Sequence, residues 1–145
     1  MDSLDERFTQ ALHGGARAWR GALERQLRAS GLTVAGWRAM AVVLASEAPS
    51  SQRELARRLG VDGATLVATI DRLTGASLVE RMPSPHDRRV KLVVATEKGK
   101  VLAAEIERFT AALRQDVMAR IDSERIIVAA GVLEELRAIL ELERP

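Results

Sequence analysis

The turn Leu59-Gly60-Val61-Asp62 constrains this chain more than any other stretch. Before it, Leu55, Ala56 and Leu59 share one helix face; after it, Leu66, Ile70 and Leu73 recur at spacings of four and three. Gly60 follows the last periodic residue and suits a left-handed helix cap. Asp62 stands where an N-cap belongs, with its oxygens placed to accept from the free N–H groups near Ala64 and Thr65. Two short helices joined so tightly make a helix-turn-helix. The exposed face of its second helix carries Gly63, Ala64, Thr65, Val67, Ala68 and Arg72, and that face would enter a DNA major groove.

A hairpin follows. Leu78 to Met82 and Val90 to Ala95 read as two strands, and in the second Val90, Leu92 and Val94 alternate with Lys91, Val93 and Ala95. The loop between them holds Pro83, Pro85 and His86-Asp87-Arg88-Arg89. The prolines stiffen it. Two arginines at the tip of a stiff hairpin suit the negative potential of a narrow minor groove. Taken alone, an arginine pair is a solvated surface; the order of elements around this one makes it a wing.

Charge supports that placement. The chain of 145 residues has a net charge of only +2. From Arg53 to Lys91, however, 8 basic residues face 5 acidic ones, a balance of +3, which leaves −1 for the remainder. Aromatic residues are 3% of the chain and tyrosine is absent, so stacking on single-stranded bases is not the expected mode. There are no cysteines, which excludes disulfides and thiolate metal sites and fits a reducing, cytoplasmic setting. Only His13 and His86 could supply imidazoles, so neither a metal nor another cofactor is expected. No run approaches the ~20 apolar residues of a membrane helix. The acidic opening (Asp2, Asp5, Glu6) is unlike a secretory signal. Glycine-rich phosphate loops, nucleophile elbows and His–carboxylate pairs at ligand spacing are missing, so the chain is not expected to be an enzyme.

Four longer helices flank the head. Leu4, Phe8, Ala11, Leu12, Gly15, Trp19, Leu23 and Leu27 predict one that ends near Ser30-Gly31. Thr33 caps a second, with Trp37, Met40, Ala41 and Leu44 inward, closing at Glu47-Ala48-Pro49. After the wing, Thr96 and Glu97 start a third, with Leu102, Ile106, Phe109, Leu113, Val117 and Ile121 as its stripe. A last helix runs from about Arg125 to Leu142, with Ile126, Ala130, Leu133, Leu136 and Leu140 inward. One small head cannot cover so many apolar stripes, and terminal helices left uncovered usually pack on a second copy of the chain. A two-fold dimer would set two recognition helices about 34 Å apart on one face of a duplex.

The pattern resembles the MarR family of bacterial transcription regulators across nearly the whole chain. The residues that carry the likeness are Leu55-Ala56, Leu59-Gly60-Val61, Thr65, Ile70-Asp71-Arg72-Leu73, Leu78-Val79-Glu80-Arg81, Asp87-Arg88-Arg89 and Thr96-Glu97-Lys98-Gly99. Two are signatures: Asp87-x-Arg89 in the wing and Thr96-x-x-Gly99 at the start of the next helix. The resemblance implies a mainly α (α+β) fold of one domain over residues 1–145. In it a winged head (33–96, hairpin 78–95) lies between dimerisation helices (1–32 and 97–145). It implies an obligate homodimer on a pseudo-palindromic double-stranded operator. It also implies release by a small phenolic or lipophilic effector held between head and arm, the behaviour of a repressor. By position, Arg89 would enter the minor groove, braced by Asp87 through a charge-assisted pair. Arg88 and Lys91 would touch phosphates, and Thr65 and Arg72 would lie on or beside the recognition face.

The chain departs from the family at Val67 and Ala68, where a polar and a basic residue are usual. It departs again at Gly75-Ala76 and Ser77, where a basic pair and a glycine are usual. Its recognition helix is poor in donors; an apolar face can still read thymine methyls. More affinity should then rest on phosphates and the wing. Arg38 and Arg53 are further candidates for phosphate contact. Trp19, Trp37, Met40 and His13 are candidates for an effector pocket, each weighed against a core or surface role. A winged-helix dimer that acts through protein partners is the alternative.

Overall fold

In a computed structural model, residues 3–142 are described. Asp2 of the acidic opening and the outermost ends of the 1–145 domain therefore lie outside the described residues. The chain divides into two compact units, the first ending at Glu107 and the second beginning at Arg108.

In the first unit, α1 spans Leu4–Leu27, with Ser3 and Glu6 closing a capping box at its start. A single 3-10 turn, Arg28–Ser30, ends at left-handed Gly31 (φ 73°). Thr33 caps α2 (Val34–Ala45), its hydroxyl accepting from Gly36 N–H at 3.0 Å. Then come β1 (Ser50–Ser51), α3 (Gln52–Leu59), α4 (Gly63–Gly75), β2 (Val79–Pro83) and β3 (Lys91–Ala95). The sheet is antiparallel in the order β1-β3-β2, with Ser50 opposite Val93 and Arg81 opposite Val93 on the other side. The two-residue β1 was not foreseen from the sequence. Helix α5 (Glu97–Met118) begins in this unit and runs into the second.

One core holds the head together. Met40, Leu55, Leu66, Ile70, Leu73, Val79 and Val93 are almost wholly buried and pack as one cluster with Ala39, Val43, Ala56, Leu78 and Ala103. Two expected faces shift. The inner face of α2 is Gly36, Ala39, Met40 and Val43, while Leu44 turns outward. In β3 the deeply buried residue is Val93; Leu92 and Val94 are half-buried and Val90 is exposed. A central strand whose residues are apolar on both faces leaves its inward set ambiguous in sequence.

The junction into α5 is tightly built. Thr96 donates its hydroxyl to the Ser77 carbonyl (2.6 Å) and accepts from Gly99 N–H (3.0 Å), and Lys98 Nζ donates to the Ala76 carbonyl at the end of α4. A Cβ on Gly99 would collide with the Leu78 carbonyl, so only glycine fits. Ser77 holds φ 61° without being glycine.

The second unit contains the rest of α5 and α6 (Ser123–Leu142), in which no described residue is buried. Ile127, Val128, Leu133 and Leu140 are exposed, as are Phe109 and Ile121. At the other end of the chain, Leu27 is the sole buried residue of α1, and Leu4 and Phe8 are open. Of the stripes read from the sequence, Leu27 and Ile106 are buried and Leu113, Ile126 and Leu136 half-buried, so one chain covers them only in part.

Candidate nucleic-acid interface

The recognition helix is fixed from both ends of its turn. Gly60 adopts φ 66° and donates its N–H back to the last carbonyls of α3; Val61 N–H reaches the Ala56 carbonyl at 3.1 Å. Asp62 accepts from Thr65 N–H at 2.8 Å through one oxygen and from the Thr65 hydroxyl at 2.6 Å through the other. That hydroxyl first, and the backbone N–H second, hold the Asp62 carboxyl below its ordinary value of 3.8. With Leu66, Ile70 and Leu73 anchored in the core, the opposite face is set outward: Thr65, Val67, Ala68 and Arg72 are all exposed.

The wing is a hairpin whose pairs run from Val79–Ala95 to Pro83–Lys91. Its tip is shaped by its own side chains. Asp87 Oδ1 accepts from Arg89 N–H at 3.0 Å, the Asp87 carbonyl accepts from Val90 N–H at 3.0 Å, and Ser84 N–H donates to the Val90 carbonyl at 2.9 Å. The expected charge-assisted brace is loose: Arg89 Nε lies 3.9 Å from Asp87 Oδ1, beyond hydrogen-bond reach. So exposed a pair contributes little. Asp87 instead folds the turn that carries Arg89, whose side chain is 95% exposed. Arg88 and Lys91 are exposed beside it.

A link invisible in the sequence ties the wing to both helices. Arg81 on β2 donates from Nε to Gln52 Oε1 (2.7 Å) and from a terminal nitrogen to Asp71 Oδ1 (2.6 Å). Gln52 opens α3 and Asp71 lies on α4, so one guanidinium sets strand and helices at a fixed angle. Arg81 and Asp71 stood among the family-like residues, but only the fold reveals that they meet.

The remaining candidates scatter. Arg53 is exposed on α3. Arg38 is exposed too, but donates to the Leu59 carbonyl at 3.4 Å, which makes it a tie between α2 and the end of α3. Two further arginines of α3 were not singled out. Arg57 is paired with Glu54 at 2.6 Å and holds that carboxyl below its usual range; Arg58 donates to the Ser46 hydroxyl. A cleft of about 610 Å³ between α1 and α2 is lined by Trp19, Arg20, Leu23, Glu24, Thr33 and Arg38, among others. Of the four residues expected to form a pocket, only Trp19 lines it. Met40 is buried in the head core, Trp37 packs against that core, and His13 is exposed elsewhere on α1. Among the described residues no three metal-ligating side chains gather, and no helix is long and apolar enough to cross a membrane.

Comparison with known proteins places this geometry. Residues 30–90 match a family model described as the MarR family. The crystal structure of the transcriptional regulator PA3341 superposes with a TM-score of 0.82 at 38% identity, over 94% of this chain and 99% of that one. A mutant MarR from E. coli, solved in complex with operator DNA, matches with a TM-score of 0.83 at 22% identity, over 93% and 99% of the two chains. CouR from Rhodococcus jostii RHA1, solved bound to p-coumaroyl-CoA, matches with a TM-score of 0.81 at 24% identity, over 94% and 95%.

Proposed function

The chain belongs to the MarR family of transcriptional regulators, and from that premise we propose that it is a homodimeric repressor of a pseudo-palindromic operator. The observation that carries this reading is the pairing of an outward α4 face with a wing tip whose Arg89 is 95% exposed and held up by the Asp87 turn. An arginine on a short exposed turn can reach into a narrow minor groove, whose negative potential attracts it, while α4 occupies the major groove next to it. Arg72, Arg88, Lys91 and Arg53 stand around these two elements as exposed cations suited to phosphates. The E. coli protein, which has the same fold, was solved in complex with operator DNA, and that supports a DNA-binding reading of this chain.

The bare apolar faces of α1 and α6 support the dimer. Leu4, Ile127 and Val128 are each more than half exposed, which a second copy would cover. The cleft beside Trp19 is the place for an effector. It combines an aromatic residue, Trp19, with basic Arg20 in its lining, which suits a flat acidic molecule. Such a ligand acts only through its unequal affinity for the DNA-competent and incompetent arrangements of the dimer. The acyl-CoA complex of CouR shows one member of this fold holding an aromatic acid derivative.

Arg89→Ala tests the reading, because the side chain contacts no core. Fluorescence anisotropy with selected duplexes should show at least about tenfold weaker binding with the dimer and melting temperature unchanged. Unchanged affinity would remove the wing from the interface.

A further inference from the structure

We propose that α4 reads its half-site through thymine C5-methyl groups, met by the Val67 and Ala68 side chains, and not through hydrogen bonds to base edges. The inference rests on the reading above that α4 lies in the major groove; it adds what α4 looks for there. Base recognition by hydrogen bonds needs side chains with donors or acceptors to offer. On this helix they are few and partly committed. The Thr65 hydroxyl proton is placed on Asp62 Oδ2, and an Asp71 oxygen is held by Arg81. Thr69 is buried and donates to the Thr65 carbonyl. Arg72 is the one cationic side chain of this helix, one turn beyond Ala68.

What the middle of the face does offer is methyl groups. Val67 is 39% exposed in the interior of a helix, where a β-branched side chain is less favourable than alanine, and it stands outside the core cluster of the head. Beside Ala68 it gives the exposed face of α4 an apolar centre. In the major groove the thymine methyl is the apolar feature of the base edges, and cytosine offers no methyl for Val67 to meet. The cations that flank the face, Arg72 and the wing arginines, suit the phosphates on either side.

The test uses duplexes recovered by the full-length chain from a random-sequence pool, resynthesised with deoxyuridine in place of thymidine in the major-groove half-sites. Uracil keeps the pairing, the phosphates and the minor-groove edge and removes only the methyl. Binding should weaken about fourfold for each methyl lost, and about fifteenfold for a symmetric pair. Val67→Ala should bind the thymine duplex more weakly, and its penalty for uracil should shrink to less than twofold, with a melting temperature equal to or above that of the parent. Equal affinity for the two duplexes would overturn the proposal. So would a uracil penalty of the same size in Val67→Ala, which would assign the loss to the stiffness of the DNA. A pool that yields no preferred duplex would overturn the major-groove reading itself, and this inference with it.

Discussion

The winged head closes its apolar surface within one chain, and the terminal helices do not. In the head, Leu55, Leu66, Ile70, Leu73 and Val93 are almost entirely buried among one another. In α6 no described residue is buried, and α1 buries only Leu27. The head also ties its polar groups internally, through the Asp62 cap, the Asp87 turn and the Arg81 link. The difference teaches that the chain carries two kinds of information. On the proposed reading, residues of the head present Val67, Arg72 and Arg89 to a duplex, whereas α1 and α6 leave apolar surface that a second copy would cover.

The sharpest break of this comparison is to spoil the arms and spare the head. Leu133→Glu combined with Leu140→Glu places two charges on an exposed apolar face and replaces no buried residue. The expected outcome is a halved molar mass, retained helical circular dichroism and at least about 100-fold weaker operator binding, because the second head no longer binds as a tethered copy. A variant that stayed dimeric would move the interface off α6.

The converse is to damage the head and leave the arms alone. Gly99→Ala forces a Cβ into the Leu78 carbonyl where α5 leaves the sheet. A loss of roughly 3 kcal/mol is expected in chemical unfolding, since backbone must move to relieve the clash. An unchanged midpoint would mean that the Thr96–Ser77–Gly99 junction is looser than its hydrogen bonds indicate.

Much of the head is legible in the sequence because each local signal agrees with the others. Gly60 and Asp62 mark the turn, Thr33 and Thr96 mark helix starts, and the apolar spacings fall on the matching faces. What local signals cannot encode is pairing at a distance. The strand β1 exists because Ser50 and Ser51 find β3, and Arg81 meets Gln52 across 29 positions of chain. Periodicity marks a stripe without saying what covers it. For that reason Met40, a candidate for the pocket, belongs to the core, and Leu133 and Leu140, expected inward, are open. The resemblance implies a charge-assisted brace between Asp87 and Arg89, while the fold gives Asp87 the backbone of its own turn.

The smallest expected effect lies at Ser77, where the family pattern has glycine and this chain holds φ 61°. Ser77→Gly removes the left-handed strain of a side chain but adds backbone entropy to the unfolded chain. A net gain of about 0.5 kcal/mol is expected, read as a slightly higher unfolding midpoint. A loss of stability would show that the Ser77 side chain contributes more than its backbone strain costs.

The most direct measurement is the mass of the particle in solution, alone and on a selected duplex, by light scattering or sedimentation equilibrium. Twice the chain mass of 15.8 kDa is expected in both conditions, with two chains per duplex. A free protein at a single chain mass, or a complex holding one chain, would contradict the claim that α1 and α6 are completed by a second copy.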